Sequence, residues 1–414
     1  MSGPTLLFFD HNGKFLHNIF GKYLIDEYHV CLINGGLHVY DGAVYSATNL
    51  DEVMISILDD ITERRCKEVR HYLANCPDTP RPKLAPPELI PLKSKVYDIK
   101  NDTFLDYSPD LVFLNRFPWD YDPNAPKSDK VMKLIYDVSD HDTEVFELIL
   151  EAIGSTLFRE NRYRASFMLY GPSGNNGKST LLNMITQFIG EQNVSYLSLQ
   201  DTADKYRGTM IYGKAANIGD DIPDQLLKDS SIYKKLVTGE VVVGERKYSD
   251  PVAFRPYAKL FFAANSLPPV SDRSRAFFSR LMVIPLEHDF TEDGDRSLKD
   301  YQWTEADMSY LMREAIAALK RVIKNEKFIM PATVKDLITE YEMENNPVLG
   351  FLNENQYRIE GQSAGEVYAR FGQWCASAGH RYLIGRTKFS RELGDILGLT
   401  TEPRNGTRVF VKKK

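Results

Sequence analysis

The sequence predicts an α/β core in the middle of the chain, flanked by a mixed α+β N-terminal region and a helical C-terminal region that closes in a strand–turn–strand. Three observations lead there. From residue 166 to about 288, short apolar strands alternate with helices, the pattern of a mostly parallel sheet covered by helices. The first strand, SFMLY, runs into a Gly-rich turn, GPSGNNGKST, and then into an amphipathic helix using Leu181, Leu182, Met184, Ile185, Phe188 and Ile189. After Met330-Pro331 the alternation gives way to helices, and strands return only in the terminal LTTEPRNGTRVFVK.

Before the core, Asn34-Gly35 between apolar flanks in HVCLINGGLHVYDGAVY predicts a hairpin, and a helical stretch follows near 51–73. The Pro-rich segment 75–93 stops helices and central strands alike, and marks either a domain boundary or a long surface loop. WDYDPNAP at 119–126 reads as a loop. A helix is expected over 142–158, with Val145, Phe146, Leu148, Ile149, Ile153 and Leu157 on one face, and another over 305–323. The expected domains are 1–140, 141–325 and 326–414.

With 414 residues the chain has room for about two to four domains. Its net charge is −6 and its pI about 5.8, so any nucleic-acid contact must come from local basic groups. Cys31, Cys66, Cys76 and Cys375 form no CxxC pair, which excludes a zinc ribbon and a thioredoxin-like site. The N-terminal MSGPTLLFFDHNGK lacks a basic-flanked apolar core, and no apolar run approaches the ~20 residues that span a bilayer. A cytoplasmic protein without a membrane contact is expected.

Strand, Gly-rich loop, Lys-Ser/Thr and helix together specify a phosphate-binding loop. Gly171, Pro172, Ser173, Gly174, Asn175, Asn176, Gly177, Lys178, Ser179 and Thr180 are the candidate ATP-binding residues. The glycines let backbone amides turn toward phosphates, Lys178 offers charge to the β/γ-phosphates, and Ser179 offers a hydroxyl to Mg²⁺. Counting back from Gly177, the strict spacing puts Pro172 where the first glycine belongs. Either the loop is one residue longer than usual, or Pro172 takes that position.

A phosphate-binding loop signals a nucleotide and no more; hydrolysis also needs carboxylates near the γ-phosphate. Asp220 and Asp221 in GKAANIGDDI supply them: Asp220 for Mg²⁺, the other for the attacking water. Asn265, ending the strand KLFFAAN, is placed as a polar sensor beside the γ-phosphate. In SDRSRAFFSRLMVIPL, Arg280 at the strand entrance is the candidate for stabilising transferred phosphoryl charge in a neighbouring subunit, whereas Arg273 and Arg275 read as solvated. Between acids and sensor, VVVGER and PVAFRP predict two strands joined by the bend RKYSD. Arg246, Lys247 and Tyr248 near its tip suit a groove that follows a phosphate backbone and stacks on bases.

This order of features resembles the superfamily 3 helicases, and most closely the phage and plasmid primase–helicase family that includes the poxvirus primase–helicase. TGEVVVGERKY, KLFFAANSLPP and DRSRAFFSRLMVIPLEHDF carry the resemblance, and HVYDGAVY and FPWDYDPNAP resemble the region preceding that family's motor. EVYARFGQWCASAGHRYLIGRTKFSRELGDILG resembles the winged-helix domain that often follows it. The resemblance implies an AAA+-like core, ATP and Mg²⁺ as cofactors, a homo-hexameric ring, and translocation on single-stranded DNA, usually 3′ to 5′. Forked DNA is then a substrate. No primase module is recognisable, so a separate primase or polymerase is an expected partner, or the chain is part of a longer one.

The C-terminal region adds its own signal. Between residues 381 and 414, Arg381, Arg386, Lys388, Arg391, Arg404, Arg408, Lys412, Lys413 and Lys414 face only Glu392, Asp395 and Glu402. A helix at 387–397 would enter a DNA groove and the Asn405-Gly406 hairpin would be a wing, with Lys388, Arg391, Arg404 and Arg408 as contacts. Two alternatives remain at this stage: another P-loop motor, such as a packaging or protein-remodelling machine, and an origin-binding initiator in which ATP only switches assembly.

Overall fold

The structure, a computed structural model, describes residues 7–172, 174–204, 206–246, 249–292, 294, 296–298, 301–355, 358–378, 383–404 and 406–413. Its N-terminal part comprises α1 (His17–Tyr28), β1 (Cys31–Ile33), β2 (Gly36–Tyr40), β3 (Tyr45–Ser46), α2 (Leu50–Ile57) and α3 (Glu63–Asn75). The expected hairpin is present: Ile33 pairs with Gly36 across Asn34 and Gly35, both left-handed at φ 48° and 79°. The helical stretch expected over 51–73 is instead two helices. Asp59 and Asp60 are poor helix formers that compete for backbone bonds, and the Thr62 hydroxyl restarts the helix by accepting from the Arg65 amide.

Past the prolines come β4 (Leu89–Pro91), β5 (Val96–Asp98) and β6 (Thr103–Leu105), an antiparallel sheet, then α4 (Asp129–Val138) and α5 (Thr143–Ser155). These do not stand apart from the central core. Ile90, Leu92, Tyr97 and the apolar faces of α4 and α5 share one cluster with the central sheet, and that cluster continues to Val334. The apolar unit expected over 141–325 is therefore wider at both ends, because α4 and the small sheet cover helix surface that would otherwise face water. The Pro-rich segment lies between this core and a separate one built from residues such as Phe8, Leu24 and Leu73. Buried Arg159 holds it, donating to the carbonyls of Pro86 and Leu89 while its guanidinium lies 4.7 Å from the Phe113 ring centroid.

The central sheet has five parallel strands, β7 (Ser166–Tyr170), β8 (Val194–Ser195), β9 (Ala216–Gly219), β12 (Lys259–Ala264) and β13 (Leu281–Pro285), in the order β13-β7-β12-β9-β8. Along it run α6 (Lys178–Ile189), α7 (Ser231–Thr238), the hairpin β10 (Val242–Arg246) and β11 (Ser249–Phe254), short α8 (Arg275–Phe278) and α9 (Glu305–Asn325). Both faces are covered, so β12 is buried along its whole length. Phe261 and Ala263 point into one core, and Leu260, Phe262 and Ala264 into the other. Thr304 and Asp307 form a capping box that starts α9 at the expected place.

The chain ends in α10 (Ala332–Asn345), α11 (Pro347–Glu354), α12 (Ala364–Ser377), α13 (Arg386–Leu397) and the hairpin β14 (Leu399–Arg404) and β15 (Thr407–Lys412). Elements from α11 on share a core running from Val348 to Phe410. Helix α10, by contrast, belongs to the central unit: Val334 and Tyr341 are buried there, and the Tyr341 hydroxyl donates to the Pro268 carbonyl. The C-terminal packing unit thus starts near 348 rather than at 326.

One buried charge fastens the hairpin root. Lys259 Nζ lies within 2.9 Å of the carbonyls of Phe158, Glu160 and Tyr257 and 2.7 Å from Asn161 Oδ1. Burial pushes its pKa down to about 7, against the attraction of Glu160. All four neighbours are acceptors, among which the three N–H donors of an ammonium are shared. Lys259→Met leaves them in a dry interior at a cost of roughly 3–5 kcal/mol. A melting temperature lower by on the order of 10 °C is expected in calorimetry.

Candidate functional site

The loops bearing the expected chemistry leave the sheet at its C-terminal edge, where β7, β9 and β12 end side by side. Gly171 ends β7, its amide donating to the Ala264 carbonyl at 3.2 Å. A Cβ there would lie 2.7 Å from Asn176 Oδ1 and 2.8 Å from the Leu286 carbonyl, so only glycine fits. Five residues separate Gly171 from Gly177, one more than the strict spacing.

The loop is held from both sides. Buried Asn176 donates to the His288 carbonyl at 3.0 Å, and the Phe290 amide donates to the Asn175 carbonyl. Asn175 Nδ2 adds a bond to Thr291 Oγ1 at 3.2 Å. Gly177, at φ 76°, caps α6; a Cβ there would meet Val138 at 2.7 Å and Phe290 at 3.1 Å. Lys178 opens α6 and donates to the Gly171 carbonyl at 2.8 Å and to Asn176 Oδ1 at 3.3 Å. Burial lowers its pKa, while Asp220 and Asp221 oppose the shift, which places both acids within electrostatic reach of the lysine. Pro172 and Gly174 are exposed in the loop, Ser179 and Thr180 lie in the first turn of α6, and Ser173 falls outside the described residues.

Asp220 and Asp221 follow β9 directly and are exposed. Asp221 is left-handed at φ 49°, a conformation that Asp tolerates, with its amide donating to Asp220 Oδ1 at 2.9 Å. The next residue, Ile222, donates to the Ala263 carbonyl, tying this turn to the end of β12. Asn265, immediately after β12, is exposed at the same edge.

Ser179 and Asp220 line one cavity of about 900 Å³ that runs along α6 past Trp119, Tyr196 and Trp303. Among the described residues no cluster of three metal-ligating side chains occurs. A hydroxyl and a carboxylate suit Mg²⁺, which keeps waters and binds substrate phosphates rather than an all-protein cage. Trp119 is a wall that sequence reasoning missed: its indole donates to the Gln187 carbonyl at 3.0 Å, and the only signal was a lone Trp in a segment read as loop.

Arg280 lies elsewhere. Its carbonyl accepts from the Ser166 amide at 2.8 Å, at the start of β7, so it occupies the sheet edge opposite the loop. Its guanidinium folds back onto the Ala276 carbonyl, and its Nε is buried without a hydrogen-bond partner among the described residues.

The hairpin between acids and sensor is confirmed but tighter than expected. Arg246 pairs with Ser249, with a register shift between Gly244 and Arg246, so the strands reach into the segment expected as the bend RKYSD. Lys247 and Tyr248, and the Arg246 side chain, fall outside the described residues. Val242 and Phe254 are buried at the root, whereas Val243 is 59% exposed, the alternation of a strand with one face on the core. In the C-terminal unit Lys388, Arg391, Arg404 and Arg408 are exposed on α13 and the β14–β15 hairpin. Lys388 lies 3.7 Å from Glu392, and Arg408 bonds to Thr401. Arg381, Asn405 and Lys414 are outside the described residues.

Known proteins place this arrangement in context. Residues 21–140 match the family described as D5 N terminal like, and residues 169–280 match a family of unknown function (DUF5906). A protein of Sputnik virophage named as a helicase, V13, is 24% identical over 226 residues, covering 50% of this chain and 28% of its own length. The mimivirus protein L207/L206, also named as a helicase, is 19% identical over 317 residues, covering 70% of this chain and 33% of its own. The chain thus spans about a third of the length of these curated relatives. Among the described residues no helix is long and apolar enough to cross a membrane. The apo structure of the NrS-1 C-terminal region is 14% identical, with a TM-score of 0.51, covering 95% of this chain and 98% of that one. This chain shares that fold: an α/β centre between an N-terminal α+β part and a C-terminal helical part.

Proposed function

We propose that the chain is an ATP-driven DNA helicase motor, AAA+-like and of the superfamily 3 type, serving replication of a phage, virus, plasmid or other mobile element. The observation that carries the reading is the meeting of Lys178, Ser179, Asp220, Asp221 and Asn265 at one sheet edge, while a separate hairpin rises from the same motor. Relatives named as helicases and a D5 N-terminal-like region support it.

In this reading the loop amides and Lys178 hold the triphosphate, and Ser179 and Asp220 would hold Mg²⁺, which would supply charge neutralisation for the phosphoryl group. Asp221 accepts the proton of the attacking water, Asn265 orients that water, and the γ-phosphoryl passes to it as the bond to ADP breaks. Arg280 serves the neighbouring subunit's nucleotide in a homo-hexameric ring. The hairpin residues Arg246, Lys247 and Tyr248 grip single-stranded DNA. The C-terminal unit is a winged-helix domain contacting duplex DNA through Lys388, Arg391, Arg404 and Arg408. The proposed functional divisions are 1–140, 141–325 and 326–414, with the small sheet, α4 and α10 packing on the central core across those boundaries, and the compartment is the cytoplasm.

The test is unwinding of forked duplexes carrying only a 3′ or only a 5′ tail, with ATPase measured with and without single-stranded DNA. A 3′-tail preference with DNA-stimulated turnover is expected, and absence of both strand displacement and stimulation rejects the reading. The hairpin gives a sharper version. Arg246→Ala/Lys247→Ala should weaken single-strand binding for all sequences alike and lower its salt slope by roughly 0.7 per lost phosphate contact. Unwinding should stop while DNA-free ATPase persists; normal unwinding by the double variant removes the hairpin from the DNA path.

A further inference from the structure

Helix α7 joins two places that a motor must connect. It begins at Ser231, in the segment that follows the acid-pair turn, and its C-cap Gly239 is separated from the hairpin strand β10 only by Glu240 and Val241. At about 1.5 Å per residue its eight residues span roughly 12 Å. Its N-terminal end is fastened to the segment between Asn265 and the arginines. Ser230 Oγ and Lys234 Nζ both donate to Asp272 Oδ2, the lysine at 2.7 Å. Asp272 Oδ1 in turn accepts from the Ser274 amide at 3.0 Å, which caps the entry to α8.

Backbone bonds reinforce this clasp. The Leu227 amide donates to the Pro269 carbonyl and the Ser271 amide to the Leu227 carbonyl, a short parallel bridge between the lead-in to α7 and the sensor loop. From the other side, Asn345 Oδ1 of α10 accepts from the Val270 amide at 2.8 Å. Further along α7, the Tyr233 ring lies 5.1 Å from Phe277 of α8. The Tyr233 hydroxyl is 2.6 Å from Ser166 Oγ, which also donates to the Arg280 carbonyl at 3.0 Å. The far end of α7 is held at the hairpin root, where Asn161 Nδ2 donates to the Leu236 carbonyl at 2.8 Å.

The ion pair is sheltered. The Asp272 side chain is 18% exposed and the Lys234 side chain 31%, so solvent screens them less than an ordinary surface pair. Burial works against the Asp272 carboxylate, yet the Lys234 ammonium, the Ser230 hydroxyl and the Ser274 side chain and amide hold its carboxyl well below the usual range.

We propose that Asp272, Lys234 and Ser230 are positioning residues that make α7 a rod, transmitting hairpin position to the loop bearing Asn265 and the segment bearing Arg280. The proposal rests on the DNA-motor reading, and it assigns coupling to residues that touch neither nucleotide nor DNA. Breaking the clasp separates two quantities that a purely structural role would change together: DNA-free turnover stays, and its stimulation by DNA falls.

The experiment measures steady-state ATPase of the full chain against ATP, with and without saturating oligo(dT), for wild type, Asp272→Asn, Lys234→Met and Lys234→Arg. Coupling between sites typically amounts to roughly fivefold or more. Asp272→Asn and Lys234→Met should therefore lose stimulation by at least about fivefold, with DNA-free kcat and KM close to wild type. Lys234→Arg, which keeps the ion pair, should restore it. Full stimulation in both Asp272→Asn and Lys234→Met overturns the clasp while leaving the motor reading intact. An equal fall in DNA-free and DNA-stimulated kcat also overturns it, because that marks a structural role. A wild type without stimulation overturns the clasp, and when strand displacement is absent as well it overturns the motor reading. If Asp272→Asn does not fold, Lys234→Met decides alone, since it removes the charge and keeps the apolar stem.

Discussion

Lys178→Ala should reduce ATP turnover by roughly a hundredfold to a thousandfold, the usual effect of removing a preorganised group from transferring-phosphoryl chemistry. Lys178 opens α6 and already bonds to Gly171 and Asn176 at the two ends of its loop. Its loss therefore removes both a cation for the β/γ-phosphates and a brace across the loop, and ATP affinity should fall together with kcat. Asp221→Asn should behave differently. Asn tolerates the left-handed backbone that Asp221 adopts at φ 49°, so the turn is kept while the proton acceptor is lost. Its kcat should drop with ATP affinity nearly unchanged. Equilibrium binding of a fluorescent ATP analogue beside steady-state phosphate release separates the two patterns. Wild-type turnover in Lys178→Ala removes the loop from the nucleotide site.

The placement of the candidate residues along the sheet was more legible than the packing around them. Lys178, Asp220, Asp221 and Asn265 could be placed because parallel strands deliver their C-terminal ends to one edge, and each residue stood one to several positions past an apolar strand. The division of the chain into packing units was less legible. The small sheet β4–β6 and helix α4 join the central core, and α10 does too, because apolar faces find partners by contact rather than by proximity in sequence. The Asp59-Asp60 break between α2 and α3 was locally written, but the apolar periodicity on both sides masked it. Lys259, Arg159 and the Asp272 clasp were not readable at all. A buried Lys or Arg looks like any surface cation until distant carbonyls converge on it, and Lys234 and Asp272 are 38 residues apart.

Arg280→Ala should yield subunits that bind ATP and hydrolyse it about a thousandfold or more slowly, the range attributed to arginines acting on a transferring phosphoryl group. The geometry excludes action on its own nucleotide. The Arg280 carbonyl pairs with Ser166 at the start of β7, whereas the Gly-rich loop follows Tyr170 at the other end. Four residues at about 3.3 Å each put the two roughly 13 Å apart along the strand alone. Its guanidinium now rests on the Ala276 carbonyl, and its Nε is buried with no partner among the described residues. Mixing supplies the decisive measurement. In a ring, an Arg280→Ala subunit retains an intact loop and a Lys178→Ala subunit retains an intact arginine, so some interfaces in a mixed ring carry one working copy of each. ATPase plotted against mixing ratio should rise above the sum of the two inactive preparations and peak at intermediate ratios. A flat line at every ratio, with mixed assemblies verified by mass, means that Arg280 does not act across an interface. The loss in the single variant would then come from its place beneath α8, where Tyr233 and Phe277 pack.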